Sequence, residues 1–284
     1  MIRIGTRGSS LARAQASLVA RALGDAELVI ITTAGDTSAR PIRELGDGVF
    51  VTAIEDALRG GEIDVAVHSL KDLPTSGPDD LVIAAIPSRE DPRDVCVTRD
   101  RLGVSALRAG QRVGTSSPRR AAFLSALVPG VVCDEIRGNV DTRLAKVARG
   151  DYDATVLAAA GLRRLGIAFD EREALPLSVM PPAPGQGALA VQTRADDPHR
   201  DRIAAALDDA AVRAAVTAER EVLRLLGASC ELALGCYGRF VGQTLTVDAA
   251  FADGSAIRRA HAEGSDPLEV AASAARALAE PAHV

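Results

Sequence analysis

The chain has 284 residues, of which 47% are hydrophobic and 25% are charged, and its net charge is −5 at pH 7. This length predicts about two domains, although one large α/β unit or three small domains would also fit, and the composition is typical of a soluble globular protein with an ample core. The negative net charge argues against a protein that coats nucleic acid, because such binding needs a clustered positive surface. Aromatic residues make up only 2%, so stacking platforms for bases or sugars are poorly supplied.

The cysteine and histidine spacings predict no metal site. Four cysteines and four histidines are present, but no CxxC pair or nearby histidine gives the spacing of a zinc site. No apolar run reaches the roughly 18 residues that a membrane span needs, and no basic-then-apolar leader opens the sequence. These features predict no membrane association and a reduced, cytoplasmic setting.

Nearly every cation is an arginine, since Lys71 and Lys146 are the only lysines in the sequence. Mutational bias is one explanation, because the chain is also rich in alanine. The other explanation is chemical, because planar guanidinium groups bind carboxylates through paired hydrogen bonds. The position of each arginine must decide between the two.

Strand-like and helix-like segments alternate from the amino terminus, which predicts α/β layers around a largely parallel sheet. Ser9 or Ser10 caps the first predicted helix, whose apolar residues Leu11, Leu18 and Ala22 recur at helical spacing. The predicted strands of this part are residues 2–4, 28–32, 64–68 and 81–86, with a helix along 51–58.

The alternation restarts after residues 90–93. The predicted strands are then 111–114, 131–135 and 154–158, with helices that begin at Pro118, lie along 140–147 and end near Gly166. Residues 180–187 (MPPAPGQG) hold too many prolines and glycines for a regular element and mark a crossover. The pattern ends with a strand over 188–193, a helix over 214–226, two strands around an Asp253–Gly254 turn and a helix from Pro267. The residues alone thus predict two similar α/β lobes and a smaller tail.

Four polar clusters fall where α/β proteins bind ligands, in loops that leave a strand and enter a helix. They are residues 5–10 (GTRGSS), 68–74 (HSLKDLP), 114–120 (GTSSPRR) and 137–143 (RGNVDTR). The last two place arginines in the first helical turn, where the helix dipole penalises a cation, so they predict carboxylate binding. The alternative is structural: a capped turn or, in 68–74, a surface pair of Lys71 and Asp72 worth little energy.

Cys230 lies in a loop of small residues, Gly-Ala-Ser-Cys-Glu over 227–231, that follows a predicted helix. A thiolate in such a loop is accessible and forms a stable thioether with a carbon electrophile. A buried structural thiol is the alternative, and it is the commoner role of a cysteine considered alone.

Together these motifs resemble those of the porphobilinogen deaminase family, whose members are also called hydroxymethylbilane synthases. The matching strings run in order from Thr6 to Ala188 and are TRGSSLA, AVHSLKDLP, REDPRD, VGTSSPRR, IRGNVDTRL, LAAAGLRRLG and PAPGQGA. The Cys230 loop extends the match towards the tail. The conjunction of these strings is far more specific than any one of them.

The resemblance implies an α/β fold of three domains. Two lobes like those of periplasmic binding proteins surround a cleft, and a small α/β C-terminal domain carries the cofactor cysteine. The first lobe is discontinuous, because the chain returns to it after the crossover. The implied boundaries are 1–88 for the first segment of domain 1, 89–182 for domain 2, 188–206 for the return to domain 1 and 210–284 for domain 3.

The resemblance also implies a transferase of tetrapyrrole (haem) biosynthesis. Such an enzyme deaminates porphobilinogen to an electrophilic azafulvene and joins four units head to tail, releasing hydroxymethylbilane and ammonia. The product grows on a dipyrromethane cofactor that is bound covalently, as a thioether, to Cys230. Asp72 matches the catalytic aspartate, whose carboxylate stabilises the positive charge that develops on the pyrrole nitrogens.

The other site residues that the resemblance implies bind the acetate and propionate groups of the pyrrole rings. Besides Cys230, the implied cofactor-binding residues are Lys71, Ser117, Arg119, Arg120 and Arg143. The implied substrate-binding residues are Arg7, Ser9, Ser69, Thr115, Arg137, Arg164 and Gln186. No metal is implied.

Three positions depart from the pattern of the family. Residues 46–48 read Gly-Asp-Gly where the family commonly has Gly-Lys-Gly, so an anion replaces a cation, with Arg43 close by in the sequence. Ala228 and Ser229 replace two glycines before the cysteine, and Ala233 replaces a proline after it. Cys236 is a second thiol near the attachment loop, but its surroundings match the family less well.

The main alternative is a non-catalytic, two-lobed binding protein for a small carboxylate ligand. It would explain the lobes and the arginines in the clusters at 114–120 and 137–143, but it would need neither Asp72 nor Cys230. A nucleic-acid-binding regulator is disfavoured by the net charge and the scarcity of aromatic residues. The expected partner is therefore the small molecule porphobilinogen, with no nucleic acid and no membrane, and the chain is expected to be a monomer.

Overall fold

The computed structural model describes residues 1–33, 51–227, 232–253 and 256–279. The chain forms two compact units, each with most of its contacts inside itself. The first unit comprises Met1–Arg89 and Ala188–Arg213, and the second unit comprises Glu90–Gly187 and Ala214–Val284. Among the described residues, no helix combines the length and the apolar character needed to cross a membrane.

The first unit is built on a mixed sheet. Its strands are β1 (Ile2–Thr6), β2 (Ala26–Ile30), β3 (Val65–Ser69), β4 (Leu81–Ala85) and β9 (Leu189–Arg194). They lie in the order β2-β1-β3-β9-β4, in which β1 is parallel to β2 and β3, whereas β9 runs antiparallel to β3 and β4. The strand β9 therefore completes this sheet from a distant part of the chain.

The helices of the first unit are α1 (Ser10–Leu23), α2 (Thr52–Arg59) and α6 (Arg200–Leu207). The helix α1 begins where predicted, because the side chain of Ser9 accepts a hydrogen bond from the backbone N–H of Ala12. Its apolar face packs on the sheet in one core, to which Ile4, Val19 and Val191 each contribute a side chain that is at most 1% exposed. Burying a side chain of this size contributes about 1.5–3 kcal/mol, so the sheet and the helix stabilise each other.

The larger sheet of the second unit has strands β5 (Asp94–Thr98), β6 (Arg112–Gly114), β7 (Val132–Asp134) and β8 (Ala154–Ala158). They lie in the order β5-β8-β6-β7, with β6 parallel to β7 and β8, and β5 antiparallel to β8. The helices α3 (Pro118–Leu127), α4 (Val140–Arg149) and α5 (Ala159–Arg164) follow β6, β7 and β8 respectively. Each predicted strand-to-helix alternation is thus present in this unit.

A second sheet of this unit is formed by β10 (Leu234–Val241), β11 (Thr244–Asp253) and β12 (Ala256–Gly264), all antiparallel. The helices α7 (Ala210–Leu225) and α8 (Pro267–Ala279) share a core with this sheet. Val222 of α7, Val247 of β11 and Ala271 of α8 are fully buried there.

The predicted α/β class is confirmed, and most elements lie within a few residues of their predicted bounds. The prediction of a largely parallel sheet was wrong, because β9 and β5 enter their sheets antiparallel and the third sheet is wholly antiparallel. The prediction of two strands in the tail was wrong, because it missed β10, whose glycines Gly235 and Gly238 read as strand breakers. The helix α7 begins four residues before the predicted 214, since the Asp209 carboxylate accepts hydrogen bonds from the N–H groups of Ala211 and Val212. The division into three domains stays a prediction.

Candidate active site

Three strand-to-helix corners of the second unit lie at one edge of its larger sheet. Because β6 is parallel to β7 and β8, the carboxyl ends of these strands meet at the same edge. β5 is antiparallel to β8, with Asp94 opposite Ala158, so the first residue of β5 also lies there. We call this region the arginine edge and define it as Asp94, residues 115–120, residues 137–143, Arg164 and Gln186.

The corner after β6 is a capped helix start. Ser117 has an extended conformation, and its hydroxyl oxygen accepts a hydrogen bond from the N–H of Arg120, while Pro118 is the first helical residue. Thr115 is buried, and its Oγ1 accepts a hydrogen bond of 3.2 Å from the N–H of Ser117. These two hydroxyl groups hold the turn, which places Arg119 and Arg120 in the first turn of α3.

Arg119 and Arg120 are buried and share one carboxylate. The exposed fraction is 0% for Asp94, 4% for Arg119 and 7% for Arg120. Nε and Nη2 of Arg120 donate to Oδ1 of Asp94 at 3.0 and 2.7 Å, and Nη1 of Arg119 lies 2.7 Å from Oδ2. Two guanidinium charges thus face one carboxylate in the protein interior.

This pairing keeps Asp94 ionised. Burial acts to raise the pKa of Asp94, but the charges of Arg119 and Arg120, with the hydrogen bond from Gln186, bring that pKa well below its usual range. Burial lowers the pKa of Arg119, and the charge of Asp94 opposes that shift. Within the described residues, Nε of Arg119 has no hydrogen-bond partner, so the cluster contains an unsatisfied buried donor.

The corner after β7 contributes Arg143. The side chain of Asn139 caps α4 by accepting a hydrogen bond of 3.0 Å from the N–H of Thr142. Arg143 is half-buried in the first turn, and its Nε donates to the carbonyl oxygen of Gly138 at 2.8 Å. Burial, and then the nearby charge of Arg120, lower the pKa of Arg143. This cation therefore lies within electrostatic reach of the Arg120 guanidinium.

Arg137 and Arg164 are the remaining predicted cations of the arginine edge. Both are half-buried. Nε of Arg137 lies 3.2 Å from a carboxylate oxygen of Glu135. Nη2 of Arg164 donates to the carbonyl oxygen of Gly187 at 2.6 Å. Burial lowers the pKa of Arg164 to about 10, against the opposing charge of Glu90, so this side chain is still a cation at neutral pH.

Residues 180–187, the crossover segment, are hydrogen-bonded to the arginine edge. The carbonyl oxygen of Pro181 accepts a hydrogen bond of 2.8 Å from Nη1 of Arg119. Gln186 has no exposed surface, and its Nε2 donates to the carbonyl oxygen of Pro92 at 2.7 Å and to Oδ1 of Asp94 at 3.0 Å. The segment that the sequence marks as irregular is therefore fixed by hydrogen bonds to Arg119, Pro92 and Asp94.

The first unit presents its own polar edge, which we call the aspartate edge and define as Arg7, Ser9, Ser69, Lys71 and Asp72. Because β1 and β3 are parallel, their carboxyl ends meet at one edge. The hydroxyl oxygen of Ser69 accepts a hydrogen bond of 2.8 Å from Nε2 of Gln15 on α1. A single 3₁₀ turn, Leu70–Asp72, follows β3, and its buried Leu70 anchors the exposed Asp72.

His68 lies immediately before this edge and is buried. Its Nε2 lies 3.1 Å from Oε1 of Gln192, and Nε2 of Gln192 donates to a carboxylate oxygen of Glu55 at 3.0 Å. Burial lowers the pKa of His68 to about 4, with the hydrogen bond to Gln192 opposing that shift. The ring is therefore neutral at pH 7 and donates through Nε2, because Oε1 of Gln192 only accepts.

The predicted site residues thus fall into two groups, one on each unit. Those at the arginine edge are Thr115, Ser117, Arg119, Arg120, Arg137, Arg143, Arg164 and Gln186. Those at the aspartate edge are Arg7, Ser9, Ser69, Lys71 and Asp72. Cys230, residues 46–48 and Arg43 lie outside the described residues.

Asp94 is a site residue that the sequence interpretation did not single out. It is the last residue of the string REDPRD and opens the otherwise apolar strand β5. A carboxylate at the start of a fully buried strand needs a cationic partner, and this is the signal that would have found it. The identity of that partner depends on the tertiary fold.

Each unit thus places polar and charged side chains at the carboxyl ends of parallel strands, where α/β proteins bind ligands. The sequence matches the family model described as "Porphobilinogen deaminase, dipyromethane cofactor binding domain" over residues 2–202. The porphobilinogen deaminases of Mycobacterium leprae (strain TN) and Mycobacterium tuberculosis (strain ATCC 25618 / H37Rv) are each 54% identical over 245 residues. These alignments span 85% of this chain and 78% and 79% of those proteins.

The chain belongs to the porphobilinogen deaminase family. The resemblance predicted from the motifs is thereby confirmed, as is the predicted dipyrromethane cofactor, for which the family model is named. Among solved structures, a putative methionine-binding lipoprotein from Bacillus subtilis subsp. subtilis str. 168 aligns with 71% of this chain and 87% of its own. Its identity is 10% and its TM-score is 0.43, a likeness too weak to add to the description of the sheets.

Proposed function

We propose that this chain deaminates porphobilinogen and condenses four molecules of it head to tail, releasing hydroxymethylbilane and ammonia. Family membership supports the reaction class. The observation that carries the site assignment is the pair of buried guanidinium groups, Arg119 and Arg120, which share the carboxylate of Asp94. A ligand that brings carboxylates to this edge balances the excess positive charge, and each porphobilinogen carries an acetate and a propionate.

The same chemistry fits the dipyrromethane, whose side chains are also acetates and propionates. We assign its binding to Lys71, Ser117, Arg119, Arg120 and Arg143. The fit is supported by the buried Nε of Arg119, a donor with no partner among the described residues, and by the half-buried cation of Arg143. When bound, the dipyrromethane supplies the carbon nucleophile to which the first substrate unit is joined.

We assign substrate binding to Arg7, Ser9, Ser69, Thr115, Arg137, Arg164 and Gln186. Guanidinium groups suit carboxylates because two parallel N–H donors match two oxygens, and partial burial strengthens such bonds. Arg164 fits this role well, since it is half-buried and anchored to the Gly187 carbonyl. Gln186 is fully buried, so its contribution is indirect and passes through Asp94.

We assign to Asp72 the stabilisation of the cation that forms when porphobilinogen loses ammonia. The assignment is supported by its match to the family's catalytic aspartate and by its exposed carboxylate on a short turn. Leu70 is fully buried and anchors that turn at the end of β3. A preorganised charge of this kind needs little reorganisation when the substrate charge develops.

Covalent attachment of the dipyrromethane through a thioether to Cys230 completes the proposal. Its support is the match of the small-residue loop 227–231 to the family motif. Intact mass spectrometry of freshly purified protein tests it: we expect an excess of two pyrrole units that is absent in Cys230→Ser. Cys236→Ser is the matched control, because Cys236 is fully buried in β10, and this variant should keep the excess.

The reaction itself is tested by supplying porphobilinogen to the purified protein and identifying the released compound. The proposal requires hydroxymethylbilane and ammonia in a ratio of one to four. Binding of porphobilinogen without turnover, in protein that lacks the mass excess, would instead favour the non-catalytic binding protein. Membership of the porphobilinogen deaminase family does not favour the non-catalytic binding protein.

We also infer a cytoplasmic monomer that binds neither nucleic acid nor membranes. The net charge of −5 and the 2% of aromatic residues support the absence of a nucleic-acid surface. The monomeric state and the cytoplasmic location rest on the family resemblance. Light scattering coupled to size exclusion tests the first, and fractionation of cells that express the protein tests the second.

A further inference from the structure

Another buried carboxylate of the second unit, that of Glu219, lies apart from the residues assigned to the site. Glu219, on α7, has an exposed fraction of 0%. Its Oε2 accepts a hydrogen bond of 2.7 Å from the N–H of Gly185, and its Oε1 accepts one of 2.7 Å from the N–H of Gly238. One carboxylate thus joins α7, the crossover segment and β10.

Glycines allow these backbones to approach each other. A Cβ added to Gly238 would lie 2.8 Å from the carbonyl oxygen of Ala215 on α7, and one added to Gly235 would lie still closer to that of Pro181. Both distances are shorter than real Cβ contacts, so any larger residue would push β10 away. Gly185 has a φ of +76°, a left-handed conformation that glycine adopts without strain. The chain is therefore built for close contact around Glu219.

A continuous path of hydrogen bonds leads from Glu219 to the arginine edge. Glu219 holds the N–H of Gly185, and the next residue, Gln186, donates from its Nε2 to Oδ1 of Asp94 at 3.0 Å. The same Oδ1 accepts both hydrogen bonds from Arg120, and Oδ2 faces Arg119. Every group on this path is buried, so each bond restricts its neighbours strongly.

We infer that Glu219 is a positioning residue for the proposed reaction: by fixing Gly185 it holds Gln186 against Asp94, and through Asp94 it orients Arg119 and Arg120. The inference rests on the proposed function, because it treats these two guanidinium groups as the carboxylate-binding groups of the site.

The chemistry of the position favours a carboxylate over any other side chain. Two buried N–H donors point at Glu219, and only a carboxylate offers two acceptor oxygens on one planar group. In a Glu219→Gln variant one oxygen becomes an NH₂ group, which faces an N–H donor and repels it. The variant keeps nearly the same volume, so it removes a hydrogen bond without creating a cavity.

Amide hydrogen exchange tests the path without any need for activity. In Glu219→Gln we expect faster exchange in residues 183–187 and also in residues 117–123, the turn that carries Arg119 and Arg120. The matched control is Glu221→Gln, which removes a carboxylate two residues away on the same helix, where Glu221 pairs with the exposed Arg224. The amide exchange rates of both segments should be the same in that control as in the wild type.

Combining variants shows whether Glu219 acts through Gln186. We expect Glu219→Gln to raise KM for porphobilinogen about tenfold, which corresponds to about 1.4 kcal/mol of lost binding, with kcat changed less than about twofold. In a Gln186→Ala background the same substitution should change KM by less than about twofold, because the path is already broken. A role limited to overall stability would give equal effects in both backgrounds.

Three results would overturn the inference: faster exchange at 183–187 with residues 117–123 unaffected, an unchanged KM in Glu219→Gln, or effects that multiply with those of Gln186→Ala. If Glu219→Gln fails to fold, Glu219→Asp replaces it in every comparison, since it keeps the charge and shortens the reach by one methylene. Absence of turnover in the wild-type protein refutes the proposed function instead, and the exchange results then decide the positioning role.

Discussion

The two polar edges handle charge in opposite ways. At the arginine edge, Arg119 and Arg120 are buried against Asp94 and tied to the crossover segment. At the aspartate edge, Asp72 is exposed on a single turn that one buried leucine anchors. A group that recognises a permanent charge gains from being fixed and desolvated, because its partner's charge does not change. A group that stabilises a charge formed during the reaction must instead be accessible to the substrate, as the exposed Asp72 is.

The largest effect that this comparison predicts is on stability, at the arginine edge. We expect Arg120→Ala to lower the free energy of unfolding by about 3–5 kcal/mol, because it removes one partner of a buried carboxylate. Defective cofactor assembly should accompany the loss. Urea denaturation measures the first and intact mass the second. Arg112→Ala is the control, since Arg112 forms an exposed pair with Asp134 and should cost at most about 1 kcal/mol.

The second effect is on the rate, at the aspartate edge. We expect Asp72→Asn to fold and retain its cofactor mass but to lose about 10²–10³-fold in kcat, the usual effect of removing one preorganised electrostatic group. Steady-state turnover of porphobilinogen measures this loss. Asp79→Asn, which changes an exposed aspartate in the same unit, should keep wild-type kcat. Near-normal turnover in Asp72→Asn would refute the catalytic role of this carboxylate.

The third effect is the pH dependence of stability, which compares His68, next to the aspartate edge, with Asp94 at the arginine edge. The pKa of His68 is lowered to about 4 from an ordinary value of 6.5, so between these values the unfolded chain binds more protons than the folded one. The contribution of the neutral His68 to the free energy of unfolding is therefore fully present above pH 6.5. It decreases as the pH drops, by an amount on the order of 3 kcal/mol at pH 4. Urea denaturation at several pH values should show this slope in the wild type.

A variant without the imidazole is the control for that slope. We expect His68→Gln to lose much of the pH dependence between 6.5 and 4. Asp94 contributes no such slope in this range, because its folded pKa lies well below its usual value and its contribution is lost only at stronger acidity. An unchanged slope in His68→Gln would show that the buried histidine does not control the acid sensitivity.

The smallest effect concerns the half-buried Arg137. We expect Arg137→Ala to raise KM for porphobilinogen less than about tenfold with little change in kcat, because solvent screens a partly exposed ion pair. Glu135→Gln is an informative partner variant, since Glu135 lies 3.2 Å from Arg137 and competes for its guanidinium. Its KM should be unchanged or lower. A higher KM in Glu135→Gln would mean that Glu135 is needed to orient Arg137.

The sequence alone predicts the parts of this molecule that depend on local pattern. The capped helix starts at Ser9, Ser117 and Asn139 can be identified because a cap, a turn and apolar spacing occur within a few residues. The prediction of carboxylate binding follows from arginines in the first turn of a helix, where the helix dipole disfavours a cation. Their biochemical meaning came from the resemblance to a family and not from the spacing.

The remaining features depend on contacts between distant residues. Asp94 partners arginines that lie 25 and 26 positions further along the chain, and no local pattern encodes that pairing. Gly235 and Gly238 resemble strand breakers, yet β10 needs them because it packs against the crossover segment and α7. From the sequence, Glu219 resembles a solvated residue on a helix, because the N–H groups of Gly185 and Gly238 that it binds are distant along the chain.

The placement of β9 between β3 and β4 has a consequence for biosynthesis on the ribosome. The 103 residues 86–188 are translated after β4 ends and before β9 begins. At 5–20 residues per second this takes roughly 5–20 s, during which the edges of β3 and β4 that will pair with β9 stay open. Open strand edges invite intermolecular pairing, so the nascent amino-terminal segment is a natural client for chaperones.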